Sequence, residues 1–118
     1  AEAAEAAERS VVAFAHYRFE EDDGRTMLYI YEVQVAKSAA RCGLGKHLVS
    51  CMGLLAVRAH VDACLCTVFV ENEPSMAFFR AMKFTTDETS PSAAGETATY
   101  EILSKPLRRR APPARAEA

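Results

Sequence analysis

The sequence predicts an α/β (α+β) fold, a mixed sheet with helices on its faces, and three observations carry that expectation. The hydrophobic period changes from two to about 3.6 and back along the chain. An Asp-Gly pair joins two runs rich in β-branched and aromatic residues. A Gly-Leu-Gly stands where a strand-like run gives way to a helical one. At 118 residues the chain forms one domain at most, since domains typically run to about 100–150 residues. Half of the residues are hydrophobic and a quarter are charged, which suits a globular protein.

The elements follow in order. Residues 1–10 alternate Ala with Glu and have helix propensity without an apolar stripe, which predicts a flexible lead. Val11 to Phe19 predicts a strand, and the domain is expected over 11–105. Asp23-Gly24 is a hairpin-turn signal, so Met27 to Val35 is expected to pair antiparallel with the first strand. Leu44, Leu48, Cys51, Met52, Leu55 and Ala59 fall on one face of an amphipathic helix. Ala63 to Val70 predicts a short apolar strand. Asn72-Glu73-Pro74 then combines a capping residue with a first-turn proline, opening a helix that holds Met76, Phe78, Phe79 and Met82. Phe84 starts a further strand, Ser90 to Gly95 is a loop, and Thr97 to Leu103 predicts the last strand. Residues 106–118, with Pro112, Pro113 and several alanines, are expected to be a disordered basic tail.

Charge is distributed unevenly. Residues 1–104 hold nine Lys/Arg against fifteen Asp/Glu, and residues 105–118 hold five against one. An acidic body favours a basic partner over nucleic acid, so no direct nucleic-acid contact is expected. No run of 18 apolar residues appears, which predicts no membrane span, and the lead lacks the apolar centre of a signal peptide. An intracellular location, cytoplasm or nucleus, is therefore expected. The four cysteines include one close pair, Cys64 and Cys66, with no second Cys/His pair at a zinc spacing. No metal is expected, and the thiols read as reduced and buried. His16, His47 and His60 show no partner pattern and receive no role.

Gly43-Leu44-Gly45 has two readings. Glycines before a helix let the backbone curl and present N–H groups at the positive end of the helix dipole, which suits a phosphate. A short Gly-x-Gly is equally often a plain turn. Arg41 and Lys46 flank the loop, and either can add a charge-assisted bond to an anion.

Val33-Gln34-Val35, six further residues, and Cys42-Gly43-Leu44-Gly45-Lys46 resemble the first signature motif of the GNAT acetyltransferase superfamily. Thr67-Val68-Phe69-Val70-Glu71-Asn72, followed by Ala77-Phe78-Phe79 and Lys83-Phe84, resembles its second. The resemblance implies a mostly antiparallel sheet flanked by helices and acetyl-CoA as co-substrate. The loop residues Arg41, Cys42, Gly43, Leu44, Gly45 and Lys46 would then cradle its pyrophosphate. Val33, Gln34 and Val35 would line its pantetheine arm, with Thr67, Asn72 and Phe79 on the other side, while Phe78 is expected to pack in the core. The superfamily pattern has Gln or Arg where Ala40 stands, which implies weaker cofactor binding.

A finer resemblance is to the NatD family, the N-alpha-acetyltransferases of histones whose chains begin Ser-Gly-Arg. It rests on the run Ala13 to Phe19, on Leu28-Tyr29-Ile30-Tyr31-Glu32-Val33-Gln34-Val35, on Ser90-Pro91-Ser92 and on Tyr100-Glu101-Ile102-Leu103-Ser104. It implies Glu32 as general base, with Tyr31 as a second catalytic and substrate-contacting residue. Tyr29 would line the same site, Glu20 and Asp22 would hold the substrate's arginine, and Ser90 and Tyr100 would shape the peptide or acetyl end. The partner implied is a basic protein amino terminus, with no oligomeric state specified. The family's domain carries further helices and strands ahead of its first core strand, so an N-terminally shortened version is expected here.

The chemistry is consistent with this. An α-amine has a pKa of about 8, so a positioned base helps to make the nucleophile. Strict alternation, however, puts Tyr29 and Tyr31 on one face of their strand and Glu32 on the other. All three serve one site only if a bulge resets the alternation or a cleft wraps the strand edge. Two other readings stay open: a GNAT acting on another amine, which has no need of Glu20 and Asp22, and a catalytically impaired CoA-binding module.

Overall fold

The computed structural model describes residues 10–107. The predicted Ala/Glu lead and basic tail lie outside these residues except for Ser10, Pro106 and Leu107. Strands β1 (Ala13–Asp22) and β2 (Arg25–Val35) form an antiparallel hairpin. At its turn Asp23 and Gly24 have φ of 53° and 81°, the two left-handed values that a tight two-residue hairpin turn requires. Helix α1 (Leu44–Arg58) leads to β3 (Ala63–Phe69), and α2 (Glu73–Ala81) leads to β4 (Thr85–Thr86). A long loop, with one 3-10 turn at Pro91–Ala94, then reaches β5 (Tyr100–Pro106).

The sheet runs in the order β1-β2-β3-β5-β4. Every neighbouring pair is antiparallel except β2 and β3, which are parallel. The mixed, mostly antiparallel sheet with two helices is the architecture expected. The last strand begins at Tyr100 rather than Thr97, and Thr99 contributes a single bond, its carbonyl accepting from Val70 N–H at 2.8 Å.

The main core lies on one face of the sheet. Val49, Met52 and Ala56 of α1 and Phe79 of α2 pack there with Leu28, Ile30, Cys64, Cys66, Val68 and Leu103. The buried stripe of α1 is centred one position away from the stripe predicted. Leu55, expected inside, is 42% exposed, while Ala56 is fully covered. The small Ala56 lets the helix sit close to the sheet, and the larger leucines are turned to its flank. Cys64 and Cys66 point to the same core, and burial pushes their thiols up to about 11 and about 12.

A smaller core on the opposite face consists of Met27, Ala63 and Leu65, with Tyr29 and Ile102 packed beside them. Asp87, only 3% exposed, spans this patch. It accepts from Arg25 on β2 at 2.8 and 3.0 Å and from the Ser104 hydroxyl on β5, the strands on either side of β3. No helix among the described residues is long and apolar enough to cross a membrane.

Candidate active site

The parallel ladder between β2 and β3 is four pairs long and ends at Ile30 and Cys66. Beyond it the two strands part. A cavity of about 630 Å³ opens between Val33–Val35 on one wall and Thr67–Phe69 on the other, with Asn72, Phe78 and Gly45 completing it.

A bulge sits where the strands part. Across the hairpin His16 faces Glu32, while the next residue, Tyr17, faces Ile30, so Tyr31 has no partner opposite it. One extra residue in a strand reverses the alternation beyond it. Before the bulge, Leu28 and Ile30 pack in the helix-side core; after it, Val33 does so, and Val35 approaches Gly45 of α1. Glu32 therefore shares the opposite side with Tyr29. The bulge removes the conflict between strict alternation and a common site.

Tyr29, Glu32 and Glu20 lie on that side, and Tyr31 touches Glu20 and Tyr29 there. The Tyr31 hydroxyl donates to the Glu20 carboxylate, and that bond raises the pKa of the phenol. The Tyr31 ring lies 5.1 Å from the His16 ring, stacked at 28°, and 5.2 Å from the Tyr29 ring. The Arg18 guanidinium lies 5.8 Å from its centre. Tyr29 shares a hydrogen bond with the Thr67 hydroxyl, and burial raises the pKa of its own phenol. That bond links the two strands where the fork begins.

The remaining predicted residues are placed as follows. Asp22 stands at the hairpin end, opposite Arg25. Tyr100 opens β5 across from Phe69, on the far wall. Ser90 is buried, and its hydroxyl is committed: it donates to Glu101 at 2.6 Å and accepts from Ile102 N–H at 2.9 Å. Ser90 thus ties the long loop to β5. Gly43, with φ of 78°, caps α1, and Arg41 before it also has positive φ. Of the predicted loop, Gly45 lines the cavity, while Arg41, Cys42, Gly43, Leu44 and Lys46 surround the first turn of α1 beside it. The first N–H groups of a helix have no partners within it, which makes this end of the cleft suited to an anion.

The carboxamide oxygen of Asn72 caps α2 by accepting from Ser75 N–H at 3.2 Å. Its amino group is not used in that bond. Phe78 and Phe79 both border the cavity and both pack in the helix-side core: Phe79 is buried there, edge-on to Phe84, while the partly buried Phe78 packs against that core and faces Gly45. The sequence reasoning missed His16 and Arg18. The hairpin turn carried the signal, because a two-residue turn at Asp23-Gly24 sets Arg18 opposite Tyr29. Among the described residues no three His, Cys, Asp or Glu side chains gather as a metal site.

A sheet forked at a parallel pair, with a bulged strand on one wall and a glycine-capped helix beside the open end, is the layout of the acyl-CoA N-acyltransferase fold. The chain belongs to the acetyltransferase (GNAT) family, whose sequence profile matches residues 3–84. Its fold is shared by Naa20 of Chaetomium thermophilum, solved in complex with a bisubstrate analogue. That match has 18% identity and a TM-score of 0.69, covering 83% of this chain and 60% of that one. Naa50 of Arabidopsis thaliana, in complex with the bisubstrate analogue CoA-Ac-MVNAL, matches with 18% identity and a TM-score of 0.65, covering 81% and 66%. The ribosomal-protein-S18-alanine N-acetyltransferase of Escherichia coli matches with 18% identity and a TM-score of 0.67, covering 87% and 65%. The chain thus spans between three fifths and two thirds of the length of these structures.

Proposed function

We propose that this chain is an N-alpha-acetyltransferase that acetylates the free α-amine of a protein amino terminus, with histone tails beginning Ser-Gly-Arg as its acceptors. The bulge at Tyr31 is the observation that carries the reading. It gathers Glu32, Tyr29 and Tyr31 on one side of β2, at the fork of a cleft whose other end meets a helix N-terminus. Naa20 and Naa50, which share the fold, were solved with bisubstrate analogues. The finer likeness to the NatD family rests on the sequence runs given above.

The donor side fits acetyl-CoA. Amides around Gly43 and Gly45 and the cations Arg41 and Lys46 suit its pyrophosphate, and the walls Val33–Val35 and Thr67–Phe69 suit its long arm. When bound, acetyl-CoA supplies a thioester carbonyl open to attack by an amine. Glu32 takes the proton from the acceptor's α-amine, directly or through water, and so generates the neutral nucleophile. Backbone N–H groups along the parted stretch of β3 would stabilise the charge that develops on the carbonyl oxygen; as the C–N bond forms the C–S bond would break, and coenzyme A would leave as the thiol with the proton that the attacking nitrogen sheds. Holding amine and thioester in one ternary complex removes much of the entropic barrier. The acceptor side fits a basic peptide, because Glu20 and Asp22 lie on the hairpin that carries Glu32. The same reading assigns the chain to the cytoplasm or nucleus.

The test is acetyl transfer from acetyl-CoA to a Ser-Gly-Arg-Gly-Lys peptide, beside the same peptide with its amino group blocked. Transfer to the free amine alone is expected, and Glu32→Gln should lower kcat by about 10²- to 10⁴-fold while CoA still binds. Coenzyme binding without transfer to any amine would instead establish a cofactor-binding module.

A further inference from the structure

His16 and Arg18 stand on the face that carries Glu32, and the chemistry above gives them no part. Tyr31, the residue left unopposed by the bulge, is 43% exposed. An unpaired, half-open tyrosine has several rotamers within reach. Here three contacts hold its ring: the stack on His16, the Arg18 guanidinium within cation–π distance, and the Tyr29 ring. With the ring held, the hydroxyl is aimed at Glu20, to which it donates. A carboxylate held through one oxygen keeps lone pairs free in a fixed orientation. A guanidinium, which bonds through a planar fork, is sensitive to that orientation.

We propose that His16 and Arg18 are positioning residues for acceptor selection, bracing Tyr31 so that it aims the Glu20 carboxylate at a cationic side chain near the acceptor's amino end. This rests on the terminal-acetyltransferase reading and adds to it the residues that set its preference. Glu20 makes the contact; His16 and Arg18 act through the Tyr31 ring.

The experiment compares Ser-Gly-Arg-Gly-Lys with Ser-Gly-Ala-Gly-Lys as acceptors for the wild-type chain, His16→Leu, Arg18→Met and Arg18→Lys. The quantity read is the ratio of kcat/KM for the two peptides. General damage to the fold or to cofactor binding lowers both rates and cancels in that ratio. The wild type is expected to prefer the arginine peptide by about tenfold or more, as one charge-assisted bond allows. His16→Leu and Arg18→Met should each bring the ratio to about twofold, while the rate on the alanine peptide changes by less than about twofold. Arg18→Lys, which keeps a cation over the ring, should retain part of the preference. An unchanged ratio in both His16→Leu and Arg18→Met overturns the proposal, and so does a wild type that acetylates the two peptides equally. Failure of the wild type to acetylate either peptide overturns the transferase reading and this inference with it.

Discussion

Asp87 accepts two bonds from Arg25, at 2.8 and 3.0 Å, and two from Thr89, at 3.0 and 2.5 Å. The guanidinium beside it holds its carboxyl well below the usual carboxylate range, and the same bond raises Arg25. The consequence for stability has a definite sign. A carboxylate whose pKa is lowered on folding contributes fully above the unfolded value of about 3.9, and that contribution is lost as pH falls toward the folded value. Raising the arginine further changes nothing at any pH where the protein is handled. Asp87→Asn should therefore cost about 3 kcal/mol at pH 7, because it strands a partly buried guanidinium. The gap between variant and wild type should narrow below about pH 4, where the Asp87 carboxyl of the unfolded wild-type chain takes up a proton while that of the folded protein stays ionised. Urea denaturation of both proteins at pH 7 and pH 3 measures this, and an equal gap at the two values would show that Asp87 contributes no more than its shape.

At the scale of elements, the two glycines before and within α1 have opposite requirements. Gly43 has φ of 78° with open space around a Cβ, so Gly43→Ala is penalised by its backbone alone, by about 1 kcal/mol. Gly45 is helical, and a Cβ there would meet Phe78 and Val35 at ordinary contact distances of 3.5 and 3.8 Å. Gly45→Ala should gain up to about 1 kcal/mol of helix stability. It should also weaken CoA binding, because the added methyl enters the cavity wall. Thermal melts and a CoA titration of the two variants separate these effects. Local signals made such elements legible beforehand: the Asp-Gly turn, the Asn72 cap and the helical period of α1 each act within a few residues. What the sequence did not disclose was set by contacts between elements. Which stripe of α1 faces inward depended on how closely Ala56 approaches the sheet. The partition between Phe78 and Phe79 depended on where α2 crosses the cleft. The site was legible as a set of residue types, but its assembly on one side of β2 required the bulge, which periodicity cannot locate. Ser90 belongs to the same class: its bonds to Glu101 and Ile102 were set by where the long loop meets β5.

For the molecule as a whole, the helix-side core reaches every strand that forms the walls of the cleft. Leu103 lies at its centre with no exposed surface. Leu103→Ala should cost about 2–5 kcal/mol in chemical denaturation, and a smaller loss would mean that the core closes over the gap. Seen at this scale, β1 and β2 form one leaf, and β3, β5 and β4 form the other. The directional bonds between the leaves run from the base only as far as the start of the fork: four ladder pairs, Thr26 N–H on the Asp62 carboxylate at 2.9 Å, Arg25 on Asp87, and the Tyr29 and Thr67 hydroxyls. Toward Val35 and Phe69 the leaves share side-chain packing, which resists separation but fixes no register. The sheet is thus a clasp, riveted at its base and loose at its lips. A ligand bonded along both lips adds a rivet where there was none, so its effect should appear in the mechanics of the fold before it appears in chemistry. In hydrogen exchange, coenzyme A should slow the amides of 31–35 and 67–70 and leave those of 26–30 and 63–66 unchanged. The midpoint of thermal unfolding should climb with the logarithm of its concentration above the dissociation constant.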